Sequence, residues 1–255
     1  MWGAAVGCGP FQGNLVAWSS FFHYPQFFCP RQPDSAPPDG LHLFPLVIEC
    51  FPSLKGGGAV AYHFFPMIAR MRYINRWGLM RNTDPENIQE HSHMVAVLAH
   101  ALAVIHNEKF GGQVDPGTVA VAALYHDASE ILTGDMPTPI KYDNPDIQSA
   151  YKAVEAVAEQ KLLSMLPPDL RPAYDQVLTI PDPEVRALVK AADKLSAYLK
   201  CVEELKAGNN EFKKAKEQTL AALEENPLPA LQYFMEEFLP GFELTLDELQ
   251  DSVNR

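Results

Sequence analysis

Four side chains have the types and the order along the chain that hold a divalent cation: His91, the adjacent pair His126 and Asp127, and Asp193. Each is flanked by apolar positions, so each must find a partner inside the protein or cost several kcal/mol on burial. Asp193 is the clearest case. It lies in Leu188-Val189-Lys190-Ala191-Ala192-Asp193-Lys194-Leu195, and Val189 and Ala197, one turn to either side, share its helix face. Two imidazoles and two carboxylates suit Mn, Co, Fe, Ni, Zn or Mg better than Ca, and they leave positions open for water and substrate. Successive helical residues point about 100° apart, so His126 and Asp127 reach one ion only if it sits between their directions. Glu130, one turn after His126 and roughly 6 Å away on the same face, is placed to act on a water or a leaving group without being a ligand. Each residue has a plainer reading when taken alone. His126 fits a satisfied core histidine, His91 in Glu90-His91-Ser92-His93 fits a solvated helix start, and Asp193 fits an ion pair with Lys190 or Lys194. The order of one His, then His-Asp, then a late Asp, each on a helix, favours the metal.

The elements that must position these residues read as helices from residue 63 onward. The first spans about residues 64–77, with Met67, Met71 and Ile74 on one face. A second, about 87–106, turns Val95, Leu98, Leu102 and Ile105 inward and ends before Gly111-Gly112. Asp115-Pro116 gives an N-cap and N1 proline to a third helix that carries Val119, Ala122, Ala123 and His126 and stops at Gly134. Asn144-Pro145 starts a fourth, through Leu166, with the stripe Ile147, Tyr151, Val154, Ala158 and Leu162. Asp182-Pro183 opens a fifth that carries Asp193 and ends at Gly208. Helices near 211–225, 229–238 and 245–252 complete an all-α domain without strands or repeats.

The formal net charge of −12 gives no general field for attracting duplex DNA or an anionic membrane. A small anionic substrate remains compatible, because one bound ion and one arginine reverse the potential locally. No apolar stretch reaches eighteen residues, which excludes a transmembrane helix. Cys8, Cys29, Cys50 and Cys201 form no CxxC pair, and their sparseness fits a reducing cytoplasm. The first basic side chain is Arg31, too late for a secretory signal.

Composition changes near residue 60. Residues 1–59 hold three of the four cysteines, many prolines and few charges, and show no sustained periodicity beyond a short strand candidate at 41–48, broken by Pro45. Two readings stand side by side. One is a genuine, poorly ordered extension. The other is translated upstream sequence, in which Lys55-Gly56-Gly57-Gly58 is a ribosome-binding stretch read as protein and Val60 the native start. Neither gives the segment a catalytic role, and residues 60–255 form the functional domain.

From Tyr62 onward the chain resembles the HD-domain 5′-deoxynucleotidases of the YfbR type. The resemblance rests on Ile74-Asn75-Arg76-Trp77, Glu90-His91-Ser92, Tyr125-His126-Asp127-Ala128-Ser129-Glu130, the run from Leu132 to Tyr142, Ala192-Asp193, the run Ala197-Tyr198-Leu199-Lys200-Cys201, and Gly208-Asn209-Asn210-Glu211-Phe212. It implies an HD-domain helical bundle that removes the 5′-phosphate from deoxyribonucleoside monophosphates. It implies metal ligation by His91, His126, Asp127 and Asp193, and general acid/base work by Glu130. Substrate contacts fall to Arg76, Trp77, His91, Asp127, Asp135, Met136, Pro137, Thr138 and Asp193; Met136 stands where leucine is usual. The family's preference points to cobalt, with manganese, magnesium, zinc or nickel as other candidates, and to a homodimer. Trp77, packed against the sugar C2′, would exclude a ribose hydroxyl. The rival readings are an HD hydrolase acting on dinucleotides, triphosphates or alarmones, and a catalytically silent nucleotide-binding HD module. No residue can be assigned to reading a base.

Overall fold

The computed structural model describes residues 61–137 and 144–252. These fall in the second of the chain's two units, Gly56–Arg255. The expected extension over residues 1–59, with its strand candidate, lies outside the described residues.

Ten α-helices are described: α1 (Phe64–Ile68), α2 (Ile88–Phe110), α3 (Pro116–Tyr125), α4 (Glu130–Thr133), α5 (Pro145–Ser164), α6 (Arg171–Thr179), α7 (Pro183–Lys206), α8 (Lys213–Glu224), α9 (Pro229–Glu237) and α10 (Leu246–Ser252). Among the described residues the only strand-like pairing is an isolated bridge between Asn75 and Asn87. The expected all-α class is what the protein adopts. None of these helices is long and apolar enough to cross a membrane.

The helix starts follow the capping chemistry of the sequence. Asn87 accepts from the Gln89 and Glu90 backbone N–H groups while Glu90 closes a capping box. Asp115, Asn144 and Asp182 each cap a helix whose first residue is proline. Gly111 ends α2 at φ +73°, a left-handed conformation that costs glycine little.

Helix α2 lies at the centre. Its Val95, Leu98, Ala99 and Leu102 pack against Val119, Ala122 and Ala123 of α3, Leu188, Ala192 and Leu195 of α7, and Leu231 of α9. A smaller core gathers Phe64, Ala128, Leu162, Leu163, Leu166 and Leu178. Ala122 and Ala123 belong to the first core and Ala128 to the second, so the chain from 124 to 127 crosses between two packed layers. Most expected inward positions are buried, but Val154 on α5 is 51% exposed and drops out of its stripe.

Three elements differ from the sequence expectation. The third helix does not continue to Gly134: it stops at Tyr125, turns through residues 126–129, and resumes as the short α4. The first helix gives way after Ile68 to a 3-10 turn, Ala69–Tyr73. Beyond it residues 74–77 pair with the chain before α2, through Arg76 N–H to Glu86 C=O (2.9 Å) and Ile88 N–H to Ile74 C=O (2.9 Å). Those bonds compete with helix propagation and win because Ile88, fully buried, holds the register. Helix α6 follows Pro167-Pro168 where no helix is expected, and its buried Leu178 joins the second core.

The loop between Trp77 and α2 is anchored from α7. The Glu204 carboxylate, 1% exposed, accepts from the backbone N–H groups of Thr83 (2.9 Å) and Asp84 (3.2 Å) and from Asn209 Nδ2 (2.8 Å). Lys200 donates to Glu204 and to the Asp84 carbonyl, and Asn209 also donates to the Arg81 carbonyl. Burial pushes the Glu204 carboxyl up, but its bonds to Lys200, Asn209, Thr83 and Asp84 outweigh burial and bring it down from 4.5 to about 2. A depressed carboxyl stabilises the fold fully above its unfolded value, and that contribution is lost as pH falls from about 4.5 toward 2. Glu204→Gln strips Lys200 of its counter-charge, and the expected loss near neutral pH is about 3–5 kcal/mol. Denaturant unfolding of both proteins at pH 7 and again at pH 3 tests this: the gap narrows at pH 3, and a gap independent of pH would contradict it.

Candidate metal centre

His91 lies one turn into α2 and is fully buried. Its Nε2 sits 3.0 Å from Asp193 Oδ1, and its Nδ1 is 3.2 Å from the hydroxyl of Ser196, which projects one turn beyond Asp193 on α7. The serine gives the far ring nitrogen a partner and fixes the ring's orientation, the usual arrangement around a ligating histidine.

His126 is the C-cap of α3. Its Nδ1 lies 2.7 Å from the Ala123 carbonyl, so that nitrogen carries a proton and Nε2 points inward. Nε2 is buried and makes no hydrogen bond. Asp127 Oδ2 is 3.2 Å from it and Asp193 Oδ1 4.0 Å, in ion-pair contact but outside hydrogen-bond alignment. Here the chain tightens from α-helix into i→i−3 turns, Ala128 N–H to Tyr125 C=O at 2.9 Å and Glu130 N–H to Asp127 C=O at 3.0 Å, and from this stretch His126 and Asp127 both reach the same cluster.

The ligating atoms of His91, His126 and Asp193 all lie within 4.8 Å of one another. Asp127 stands at the margin of this set. Its Oδ2 is 3.6 Å from His91 Nε2 and also receives Arg76 Nη1 at 3.1 Å. Burial opposes charge on His126, yet Asp127 and then Asp193 outweigh burial and raise the imidazole to about 9. Burial likewise opposes charge on Asp193, but His91 and His126 hold its carboxyl down to about 2. Asp127 is held well below the usual carboxylate range by His126, His91 and Arg76 against the cost of burial. A divalent cation here would compete with a proton for His126 Nε2. A buried imidazole nitrogen with no aligned hydrogen bond, beside converging carboxylates, fits a divalent ion held by mixed N/O donors.

Around this centre stand the residues expected to meet substrate. Arg76 is 12% exposed and bridges Asp127 and Glu86 at 3.1 Å each. Burial works against its charge, but Asp127, Asp193, Glu86 and Asp135 more than compensate, and its pKa is raised. Trp77 takes a left-handed backbone, φ +58°, donates from Nε1 to Glu86 Oε2 (3.2 Å), and tilts against Phe212 at 5.3 Å. Asp135 follows Gly134, whose φ of +75° turns the chain out of α4. Burial raises the Asp135 carboxyl above its ordinary value, with Arg76 and the Trp77 backbone N–H working the other way. Met136 and Pro137 are half-buried beside it. Thr138 lies outside the described residues. Glu130, 5% exposed, opens α4, so it follows His126 across a turn rather than along one helix face.

Sequence reasoning passes over Glu86 and Ser196. Ser196 could have been found, since position i+3 from Asp193 shares its helix face. Glu86 sits in a loop whose sequence carries no periodic signal.

Residues 63–242 match the family model of the 5′-deoxynucleotidase YfbR-like proteins. A 5′-deoxynucleotidase of Vibrio cholerae is 53% identical over 189 residues, covering 73% of this chain and 97% of the relative. The 5′-deoxynucleotidase YfbR of Escherichia coli is 53% identical over 193 residues, covering 74% and 97%. Among solved structures, an HD-domain phosphohydrolase from Listeria innocua superposes with a TM-score of 0.62 at 23% identity, covering 75% of this chain and 97% of its own. The cyanophage S-2L HD phosphohydrolase DatZ, bound to dA and one catalytic Zn2+ ion, gives 0.51 at 24% identity, covering 71% and 96%. These last two likenesses speak to the fold, whereas the family model and the close relatives speak to descent: the chain belongs to the YfbR-like 5′-deoxynucleotidase family.

Proposed function

We propose that the protein hydrolyses deoxyribonucleoside 5′-monophosphates to deoxynucleosides and phosphate with a divalent metal ion. The observation that carries the reading is the convergence of His91, His126 and Asp193 within 4.8 Å, with Arg76 and Trp77 beside them. The names of the 53%-identical relatives support the substrate class. In this reading His91, His126, Asp127 and Asp193 hold the ion, and cobalt is the ion we propose, with manganese, magnesium, zinc and nickel as weaker substitutes. A homodimer working on the cytoplasmic nucleotide pool completes the proposal.

A divalent ion bound at this site supplies charge neutralisation for a phosphate dianion and makes water acidic enough to react at neutral pH. The side chains do the rest. Phosphoryl transfer needs positioning and charge neutralisation more than covalent help. Arg76 already uses Nε on Glu86 and Nη1 on Asp127, and its planar fork offers further N–H groups to phosphate oxygens. Glu130 is close in sequence to two ligands and buried, and it orients the attacking water or protonates the departing 5′-oxygen. Asp135, Met136 and Pro137 form the rim on the substrate side. Trp77 meets the sugar at C2′, where a rigid indole leaves no space for a hydroxyl and gives it no hydrogen-bond partner. A catalytically silent nucleotide-binding module has less support, because Glu130 and the ligand set are both retained.

Phosphate release from dAMP, dTMP, dUMP and AMP, measured on metal-stripped protein resupplied with cobalt, manganese or magnesium, tests the reading. Release depends on added metal and favours the deoxy substrates, with cobalt most effective. Asp193→Ala lowers it more than about a hundredfold, beyond the effect of losing an outer-shell partner. No release under any metal, from folded protein that binds the ion, would sink the proposal. The sugar role is tested separately. Trp77→Ala admits ribonucleotides, and its deoxy-over-ribo ratio falls by about tenfold or more, the scale of steric discrimination in a pocket. An unchanged ratio in that variant removes Trp77 from the sugar site.

A further inference from the structure

Glu86 has no part in the chemistry described so far, yet one of its oxygens touches two of the residues proposed to meet the substrate, Arg76 and Trp77. Oε2 accepts from Arg76 Nε at 3.1 Å and from Trp77 Nε1 at 3.2 Å. The Arg76 and Glu86 side chains are 12% and 16% exposed, so the contact is largely shielded from water. The backbones are joined as well, by the Arg76 N–H to the Glu86 carbonyl at 2.9 Å. From Glu86 the chain of contacts runs through Arg76 Nη1 to Asp127 at the metal centre.

An indole has a single N–H, directed in the plane of the ring. Fixing that N–H on an acceptor therefore fixes the plane of the ring as well as its position. Trp77 needs such a hold. At φ +58° it occupies a region that residues bearing a side chain enter rarely and keep only where the surroundings enforce it. Its backbone is held by the Met80 N–H (2.9 Å) and Asn82 Nδ2 (3.4 Å) on the Trp77 carbonyl, and its ring by the bond to Glu86 and the tilted contact with Phe212. On the other side, Glu86 takes the guanidinium by Nε and leaves the outer nitrogens for Asp127 and for phosphate.

We infer that Glu86 is the positioning residue for sugar selectivity: its carboxylate holds the Trp77 indole and the Arg76 guanidinium as one unit, so that the distance between the phosphate grip and the C2′ wall is set in advance. The inference rests on the deoxynucleotidase reading. Without the acceptor the indole N–H loses its buried partner, the ring swings about its side-chain torsions, and space opens for a 2′-hydroxyl.

The test compares the full-length wild type with Glu86→Ala, Glu86→Gln and Trp77→Phe, each reloaded with metal and with its metal content measured. Hydrolysis of dAMP and AMP gives a deoxy-over-ribo ratio for each protein. Glu86→Ala loses about tenfold or more of the ratio, with metal content equal to wild type. Glu86→Gln, whose amide oxygen still accepts from the indole, keeps most of it. A merely structural glutamate would give no such rescue pattern in the ratio. Trp77→Phe keeps an aromatic ring without the N–H and loses part of the ratio. Should Glu86→Ala not fold, the glutamine and phenylalanine variants decide: a wild-type ratio in Trp77→Phe overturns the role. A metal-loaded Glu86→Ala as selective as wild type overturns it directly while leaving the deoxynucleotidase reading intact. A wild type that prefers no deoxy substrate overturns that reading itself, and the positioning role with it.

Discussion

Two imidazoles and two carboxylates cannot share a buried site unless their charges compensate one another. This constraint governs how the helices meet. His91 from α2, His126 and Asp127 from the end of α3, and Asp193 from α7 each bring a group that would be costly alone. Together they form a cluster in which the two carboxylates raise the His126 imidazole above its ordinary value. A protein held together only by its apolar layers would have no reason to place these groups in one spot. Helix α3 ends at this cluster: the apolar layers on either side, around Ala122 and around Ala128, stay packed while the chain between them tightens into i→i−3 turns.

Helix α7 links the metal centre to the segment that meets substrate. Asp193 and Ser196 stand at its middle, Lys200 and Glu204 nearer its end, spread over about 16 Å of helix. The first pair orients His91, and the second ties down the backbone of Thr83 and Asp84. That loop leads from Trp77 to Glu86 and on into α2, which carries His91. One rigid element thus supports both the charged cluster and the arm carrying Arg76 and Trp77. Catalysis by positioning needs such shared supports, since small displacements of the reacting groups are expensive. Glu204 and Lys200 are nearly inaccessible and take no part in chemistry; their effect is transmitted through the backbone they hold.

Much of this was legible in the residues. The caps at Asn87, Asp115, Asn144 and Asp182 and the apolar periods of α2 and α7 were readable because caps and periodicity are local consequences of helix geometry. The convergence of charged side chains was readable too, because polar residues at inward positions stand out against an apolar period. Where sequence reading failed, non-local bonds had overridden local preference. Residues 74–77 look helical, but the pairing with residues 86–88 satisfies their backbone instead. Residues 116–134 look like one helix, and i→i−3 bonds over residues 125–130 interrupt it. The stripe on α5 includes Val154, which no neighbouring element covers.

The sequence by itself determined the helical class, the placement of helix starts and the four residues that form the charged cluster, because each depends on spacing along one chain. Only the tertiary structure decided that Asp127 is shared between the cluster and Arg76, that Glu86 receives both Arg76 and Trp77, and that Glu204 holds a loop some 120 residues away in sequence. These are contacts between surfaces of different elements. Hydrogen bonds between partners far apart in the chain leave no periodic trace in it, and they exist only once packing has brought their elements together.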